Sequence, residues 1–314
     1  MTLPTMTNMS TPTTLPISTA HVARQFSRRA DLSDAQFLYA EVARRMAQRL
    51  RLIRLAPAIM LDAGCGAGQQ FELLHERYPL ARYLGQDHNP DLLAYAKKHV
   101  QPFLPGPARN WINKQRGIAP KAEWILSDLS QTGLPAESLD LVWSNLALHW
   151  HPAPHDVLAE WGRVLKLNGL VFFSCFGPGT MQELRSALVT AGLRTATPSF
   201  VDMHDFGDLL IEKGFGDPVM DQEVLTLTYS SPEKLLKDVR ALGGNPALGR
   251  KAGLAGRAWR DKLLGALESQ RRTDGTIHLT IEVAYGHAWR TGTLRATAGE
   301  TRISVSAIQR KITG

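Results

Sequence analysis

The sequence predicts an α/β fold in which a largely parallel sheet carries helices on both faces. Two observations carry this. Between residues 58 and 176, short apolar runs alternate five times with helical patterns, as repeated strand–helix–strand units require. Three acids, Asp62, Asp87 and Asp128, close the first three of those strands. They stand at the carboxyl edge, where open α/β sheets bind ligands. With 44% apolar and 21% charged residues, the chain is globular rather than collagen-like, mucin-like or wholly disordered.

The elements follow in order. Residues 1–19 are rich in Thr, Pro, Ser and Met and read as a flexible leader. Residues 20–56 read mostly as helix and form an N-terminal helical lid. Val42, Met46 and Leu50 recur at helical spacing, with Arg44, Arg45, Arg49, Arg51 and Arg54 mostly toward solvent. Pro57 ends this segment. One domain then spans 57–290. Its first strand, 58–61, runs into a glycine-rich turn and a helix over 69–77. A second strand, 81–85, leads to Asp87, and a helix covers 91–100. The stretch 101–122, with four prolines and a basic cluster, reads as an inserted loop. Strands follow at 123–127 and 138–144, then a helix at 154–165. A turn at Asn168-Gly169 precedes a fifth strand, 170–176. Helices are predicted at 181–190 and 206–213, the latter stopped by Gly214. Two long β-branched and aromatic segments, 219–229 and 276–289, supply the last strands. Helices at 232–243 and about 250–270 form an insertion over about 230–272. Residues 291–314 read as a flexible polar tail.

The net charge is +7. Residues 21–56 hold eight arginines against three acids, a local +5, and residues 271–314 hold seven bases against three acids, a local +4. The excess therefore sits in two segments that flank the fold, and it permits an acidic partner. Cys65 and Cys175 can build neither a disulfide scaffold nor a Cys-rich zinc site and suit a reducing cytosol. Residues 1–20 carry no Lys or Arg and no sustained apolar core, unlike a secretory signal peptide. No apolar run is long enough to span a bilayer. A cytoplasmic, monomeric protein without membrane or nucleic-acid contacts is expected, since no aromatic–basic RNA module is evident.

The strongest local signal is Asp62-Ala63-Gly64-Cys65-Gly66-Ala67-Gly68. Glycines let the chain turn sharply and approach a ligand. Asp87, 21 residues beyond Gly66, can accept hydrogen bonds from ribose hydroxyls. The spacing differs from the G-x-G-x-x-G dinucleotide fingerprint, and no G-K-[ST] step of a P-loop follows.

These residues resemble the class I S-adenosylmethionine-dependent methyltransferases, whose first motif is Glu/Asp-x-Gly-x-Gly-x-Gly. The resemblance implies a Rossmann-like seven-stranded sheet and S-adenosylmethionine as cofactor. It places Gly64, Gly66 and Gly68, in the cofactor-binding motif that Asp62 opens, under the methionine part, Asp87 at the ribose, and Asp128 and Leu129 near the adenine; His88, beside Asp87, is read at the ribose edge. Asn145, in Ser144-Asn145-Leu146, borders the methyl-donor end. Residues 144–150, 181–185, 203–208 and 236–243 are further similar to the malonyl-acyl-carrier-protein O-methyltransferases of biotin synthesis. That likeness implies methylation of the free carboxylate of malonyl-acyl-carrier protein, an acidic protein partner. The same segments resemble a mitochondrial complex I assembly factor that hydroxylates a protein arginine. Another small acid, a protein acceptor or a non-methylating assembly role therefore stand as alternatives. The family's Tyr-Asp pair after the Phe-x-x-x-Ala step is replaced here by Asp31-Leu32-Ser33-Asp34. Closure of the site then falls to Phe26, Phe37 or Tyr39.

Methyl transfer to an ionised carboxylate needs alignment and exclusion of water more than a strong base. No triad is therefore required, and no residue is assigned as catalytic. An acceptor with a carboxylate needs a cationic or hydrogen-bonding clamp. Arg185, His149, Trp150, Phe26 and Tyr39 are the substrate-side candidates, with Arg194 and His204 weaker. His149, His151 and His155 cluster around a turn without a completing acid or cysteine, so no metal site is expected.

Overall fold

The computed structural model describes residues 14–28, 33–100, 122–251, 253 and 256–292. Most of the leader, residues 29–32, the loop 101–121 and the tail from 293 lie outside the described residues. Seven strands form one sheet: β1 (Ile59–Ala63), β2 (Arg82–Asp87), β3 (Ala122–Leu126), β4 (Leu139–Asn145), β5 (Leu165–Phe176), β6 (Phe215–Tyr229) and β7 (Ile277–Arg290). Their order is β3-β2-β1-β4-β5-β7-β6. The first five are parallel, and β7 runs antiparallel between β5 and β6. Strand order reverses between β1 and β2 on one side and β4 on the other. The carboxyl ends of β1, β2 and β4 therefore open onto one crevice.

The described helices are α1 (Thr19–Ser27), α2 (Gln36–Leu50), α3 (Phe71–Arg77), α4 (Pro90–His99), α5 (Pro154–Val164), α6 (Gln182–Thr190), α7 (Met203–Glu212), α8 (Pro232–Ala241) and α9 (Arg257–Glu268). Local chemistry sets several boundaries. Asn89 caps α4, its side chain accepting from the N–H groups of Asp91 and Leu92, and Pro90 follows at the first position. The turn predicted at Asn168-Gly169 is an irregularity inside β5. Asn168 has φ +63°, and the β4 partner jumps from Leu165 to Leu170. β6 begins earlier than predicted because a bulge between Gly216 and Val219 keeps Phe215 paired with Arg290. Together, α8 and α9 form the helical insertion before the last strand.

The N-terminal segment departs most from its expectation. It is two helices, α1 and α2, with a short 3-10 turn at Ser33–Ala35 before the second. Leu38, Val42, Met46 and Leu50 of α2 enter the main core. Two arginines expected toward solvent are instead half-buried and paired with acids of β6. Arg45 bonds Glu223 at 3.0 Å, and Arg49 pairs with Asp221 and Glu223. The Arg49 guanidinium also lies 4.0 Å from the Tyr285 ring centre. The reason is register: Asp221 and Glu223, two apart on β6, share the face that α2 covers. α1 is anchored at both ends. Ile17 bridges Ala247, the Ser18 N–H donates to the Pro246 carbonyl at 2.9 Å, and the Asn89 side-chain amide donates to Ser27 Oγ at 3.0 Å.

Candidate active site

One cavity lies over the carboxyl ends of β1, β2 and β4, roofed by α1. It gathers eleven of the residues singled out in the sequence: Asp62, Gly64 and Gly66 from the β1 turn; Asp87 and His88 after β2; Asp128 and Leu129 after β3; Asn145 and Trp150 after β4; and Phe26 and Tyr39 from the N-terminal helices. The β1 turn is built for close approach. Gly64 has φ +76°, and a Cβ there would run into the Cβ of Ala147. The Gly66 N–H donates to Asp87 Oδ2 at 2.9 Å, and the Asn89 N–H donates to Asp87 Oδ1 at 2.8 Å. Two backbone donors thus aim that carboxylate. On the β4 side, the Asn145 amide donates to the Tyr39 carbonyl at 3.0 Å, and Ser174 Oγ donates to Asn145 Oδ1 at 3.0 Å. Leu146 then takes φ +52°, a costly conformation for a branched side chain. That turn lays Ala147 over Gly64.

The cavity's charge is one-sided. Its lining has three carboxylates and, among the described residues, no lysine or arginine. Burial pushes Asp62 up to about 7, opposed by the Tyr83 hydroxyl, which donates at 2.6 Å. Its other oxygen, Oδ1, is buried without a hydrogen-bond partner. Burial also raises Asp87. Asp128 is held well below the ordinary carboxylate range, chiefly by the hydrogen bond from His151 at 3.1 Å. The Ala153 N–H occupies His151 Nδ1, which leaves the proton on Nε2 to be donated to Asp128. Such a lining favours a ligand carrying positive charge. S-adenosylmethionine, with a sulfonium and an ammonium, fits on this ground. The unpartnered Asp62 oxygen and the Gly64 cradle fit it as well.

Gly68, His149, Phe37 and Arg185 stand outside this lining. Gly68 has φ +78° and packs on Trp124, behind the turn. His149 is 2% exposed, and its ring lies 4.7 Å from Trp150 and 4.3 Å from Phe176. The Phe176 N–H donates to His149 Nδ1 at 3.3 Å, so Nε2 carries the proton and is buried without a partner. Phe37, one of the three closure candidates, is 45% exposed and lines neither cavity. Arg185 lines a second, larger cavity between α1, α6, α8 and α9. There its guanidinium donates to the carbonyls of Thr180 and Pro178. The sequence reading missed Tyr83, Ala147 and His151. The first two are ordinary core types until the β1 and β4 turns bring them together. His151 was read only as part of a histidine cluster; among the described residues, no group of three or more His, Cys, Asp or Glu side chains could hold a metal.

A wall separates the two cavities. Thr19, Val22 and Phe26 of α1 face the acidic cavity, and His21, Gln25 and Arg28 face the second. Trp150 extends the wall, meeting the Phe26 ring edge-on at 5.6 Å. Gly243 allows this, because a Cβ there would overlap the Trp150 ring. Behind Trp150, the His149 ring stands 5.6 Å from Phe200, which lines the second cavity.

Sheet order, glycine turn and acid-lined crevice define a class I S-adenosylmethionine-dependent methyltransferase. The model of the methyltransferase domain family matches residues 61–173. A malonyl-acyl-carrier-protein O-methyltransferase of Laribacter hongkongensis is 42% identical, covering 86% of this chain and 89% of its own. One from Gallionella capsiferriformans is 41% identical over 84% and 88%. The chain belongs to the malonyl-acyl-carrier-protein O-methyltransferase family. Among solved structures, the YcgJ protein of Bacillus subtilis shares the fold, with a TM-score of 0.52 at 14% identity, covering 81% of this chain and all of that one. No described helix is long and apolar enough to cross a membrane.

Proposed function

We propose that this chain methylates the free carboxylate of malonyl-acyl-carrier protein, giving the methyl ester used in biotin precursor synthesis. The observation that carries this reading is the opposed charge of the two cavities. One is lined by three carboxylates, and the other by five arginines and a lysine without a carboxylate among its described lining residues. A cationic donor and an anionic acceptor would each find the complementary side of one thin wall.

S-adenosylmethionine supplies a methyl group on a positively charged sulfur. The chain's own residues bind, orient and exclude water. Asp62 and the Gly64–Gly66 turn are read as the seat of the amino-acid end. Asp87 and His88 are read at the ribose, and Asp128, oriented by His151, with Leu129 at the adenine. Asn145 fixes the β4 turn beside the reacting end. The acceptor carboxylate is already ionised, so no residue need take a proton from it. It needs alignment and a dry path. Phe26, Tyr39 and Trp150 provide apolar cover. The N–H groups of Trp150 and His149 are buried donors without partners, and they offer a carboxylate two hydrogen bonds. Arg185, half-buried in the lining of the second cavity, offers it a cation. Residues 20–56 are read as the lid of the site, residues 57–290 as the catalytic domain, and the protein as a cytoplasmic monomer whose Cys65 and Cys175 remain buried thiols.

The test is a transfer assay with radiolabelled S-adenosylmethionine and malonyl-acyl-carrier protein, malonyl-CoA and free dicarboxylic acids in parallel. Base-labile label on the carrier protein is the expected result. Label on none of the acceptors, or on a protein side chain alone, overturns it.

A further inference from the structure

The second cavity is a more specific object than a general cationic surface. Arg28, Arg240, Lys251 and Arg260 are exposed at its lining, while Arg185 and Arg250 are half-buried. Among the described residues, Arg28, Arg240 and Arg260 have no side-chain hydrogen bond or ion pair. Arg250 donates to the neutral nitrogen Nδ1 of His21 at 3.0 Å. The acids nearest Arg185 are occupied elsewhere. Glu183 accepts from Thr280, and Glu282 accepts from the Gly179 N–H. Five guanidiniums, none hydrogen-bonded to a carboxylate, share one concavity, and such a setting attracts an anion. The floor is different in kind, being apolar and formed by Leu236, Val239, Trp259 and Leu263. The cavity thus combines a charged rim, an apolar channel and, at its inner end, the Phe200–His149–Trp150 wall of the donor cavity.

We propose that this cavity binds the phosphate-bearing thioester arm of the acceptor, with the phosphate held by Arg28, Arg240, Arg250 and Arg260 and the arm laid over the apolar floor toward Trp150. Planar guanidiniums match phosphate oxygens in paired hydrogen bonds. An extended arm with amide groups and short alkyl segments suits a channel that is apolar below and polar at its edge. The geometry also gives a reason for the carrier. A free malonate would enter the cavity without the phosphate contact and would not be fixed against the wall. The inference rests on the transfer proposed above. The same phosphate-bearing arm occurs on acyl-carrier protein and on coenzyme A, and the two sources are separated by the test.

The test uses the full chain with bound S-adenosylmethionine. Inhibition of methyl transfer is measured with phosphopantetheine, with pantetheine lacking the phosphate, and with inorganic phosphate. Binding of the same three is measured by calorimetry without any acceptor. Phosphopantetheine is expected to compete with the acceptor at least tenfold more strongly than pantetheine, and inorganic phosphate to compete weakly. Arg240→Glu and Arg260→Glu, both at exposed positions, are expected to abolish that discrimination and to raise KM for the acceptor about tenfold, with S-adenosylmethionine binding unchanged. A larger KM change for malonyl-acyl-carrier protein than for malonyl-CoA would assign part of the rim to the carrier's own surface, and equal changes would assign it to the arm alone. Equal affinity for phosphopantetheine and pantetheine, or charge reversals that lower kcat without moving KM, overturns the proposal while leaving malonyl transfer standing. Phosphate-dependent arm binding in a protein that methylates no malonyl thioester upholds the cavity assignment and overturns the transfer reading instead.

Discussion

The Tyr83 hydroxyl donates to Asp62 Oδ2 at 2.6 Å, while Asp62 Oδ1, equally buried, has no partner. One oxygen is positioned by the fold, and the other is left for a ligand. This divides the first acid of the glycine motif into a structural half and a binding half.

Asp62 titrates near 7 through burial, partly offset by Tyr83. Its folded pKa lies above its unfolded one, so its contribution to stability is fully present below about pH 4 and is lost as pH rises through 7. A cationic ligand favours the ionised form, so cofactor binding should strengthen over the same interval. Tyr83→Phe removes the donor that favours ionisation. Calorimetry across pH 6–9 should show weaker S-adenosylmethionine binding for this variant at pH 7, with its rise displaced upward by about one unit. Identical pH profiles for variant and parent would detach Asp62 from the cofactor.

Gly243 and Trp150 make a second coupled pair. Gly243 has φ +137°, and any Cβ would overlap the Trp150 ring that leans on Phe26. Gly243→Ala combines backbone strain with overpacking, and a cost of about 2–4 kcal/mol follows. Thermal unfolding should report the loss, and transfer should fall further than cofactor binding because the wall moves. Trp150→Phe keeps an aromatic ring but removes the unpartnered N–H. It should retain stability and raise KM for the acceptor. An unchanged KM would remove Trp150 from the acceptor side.

Arg49→Ala tests the corrected role of the basic N-terminal segment. Burial pushes Glu223 up, and hydrogen bonds from Arg49 and Arg45 outweigh it, leaving a net lowered pKa. Its stabilisation is therefore present above the usual Glu range and is lost as pH falls through the lowered folded value. Removing Arg49 deletes that pairing and the contact with Tyr285. A loss of about 1–2 kcal/mol at neutral pH is expected, smaller in high salt. KM for malonyl-acyl-carrier protein should stay within twofold. A tenfold rise would return these arginines to the carrier interface.

The sheet and the donor cavity were legible because strand alternation and the Asp62–Gly68 motif are local patterns. Asp87 and Asp128 are placed by the ends of their strands, so spacing alone finds them. The acceptor side was not legible in the same way. Arg185 was read in the helix that follows the fifth strand, but where its guanidinium points depends on the Thr180 and Pro178 carbonyls. The arginines of α2 looked solvated because their partners, Asp221 and Glu223, lie more than 170 residues away. Gly243 carries no local sign that an indole ring will lie against it. Long-range packing decides the last two, and no periodicity records it.

His149 gives the last prediction. Burial lowers its pKa to about 3, and the ring is neutral at every working pH. Its folded pKa lies below the unfolded value of about 6.5. The unfolded chain therefore binds the proton first, and stability falls as pH drops from 6.5 toward 3, by at most about 1.4 kcal/mol per unit. His149→Phe preserves the ring between Phe176, Phe200 and Trp150 but leaves the Phe176 N–H unpaired. At pH 7 it should lose about 1–2 kcal/mol. Its stability should then decline less steeply than the parent's between pH 6.5 and 4, so that the two denaturation midpoints converge. The pH–rate profile of the parent should carry no inflection from this histidine. Parallel stability curves would mean that His149 titrates normally, with its ring open to water rather than closed within the wall.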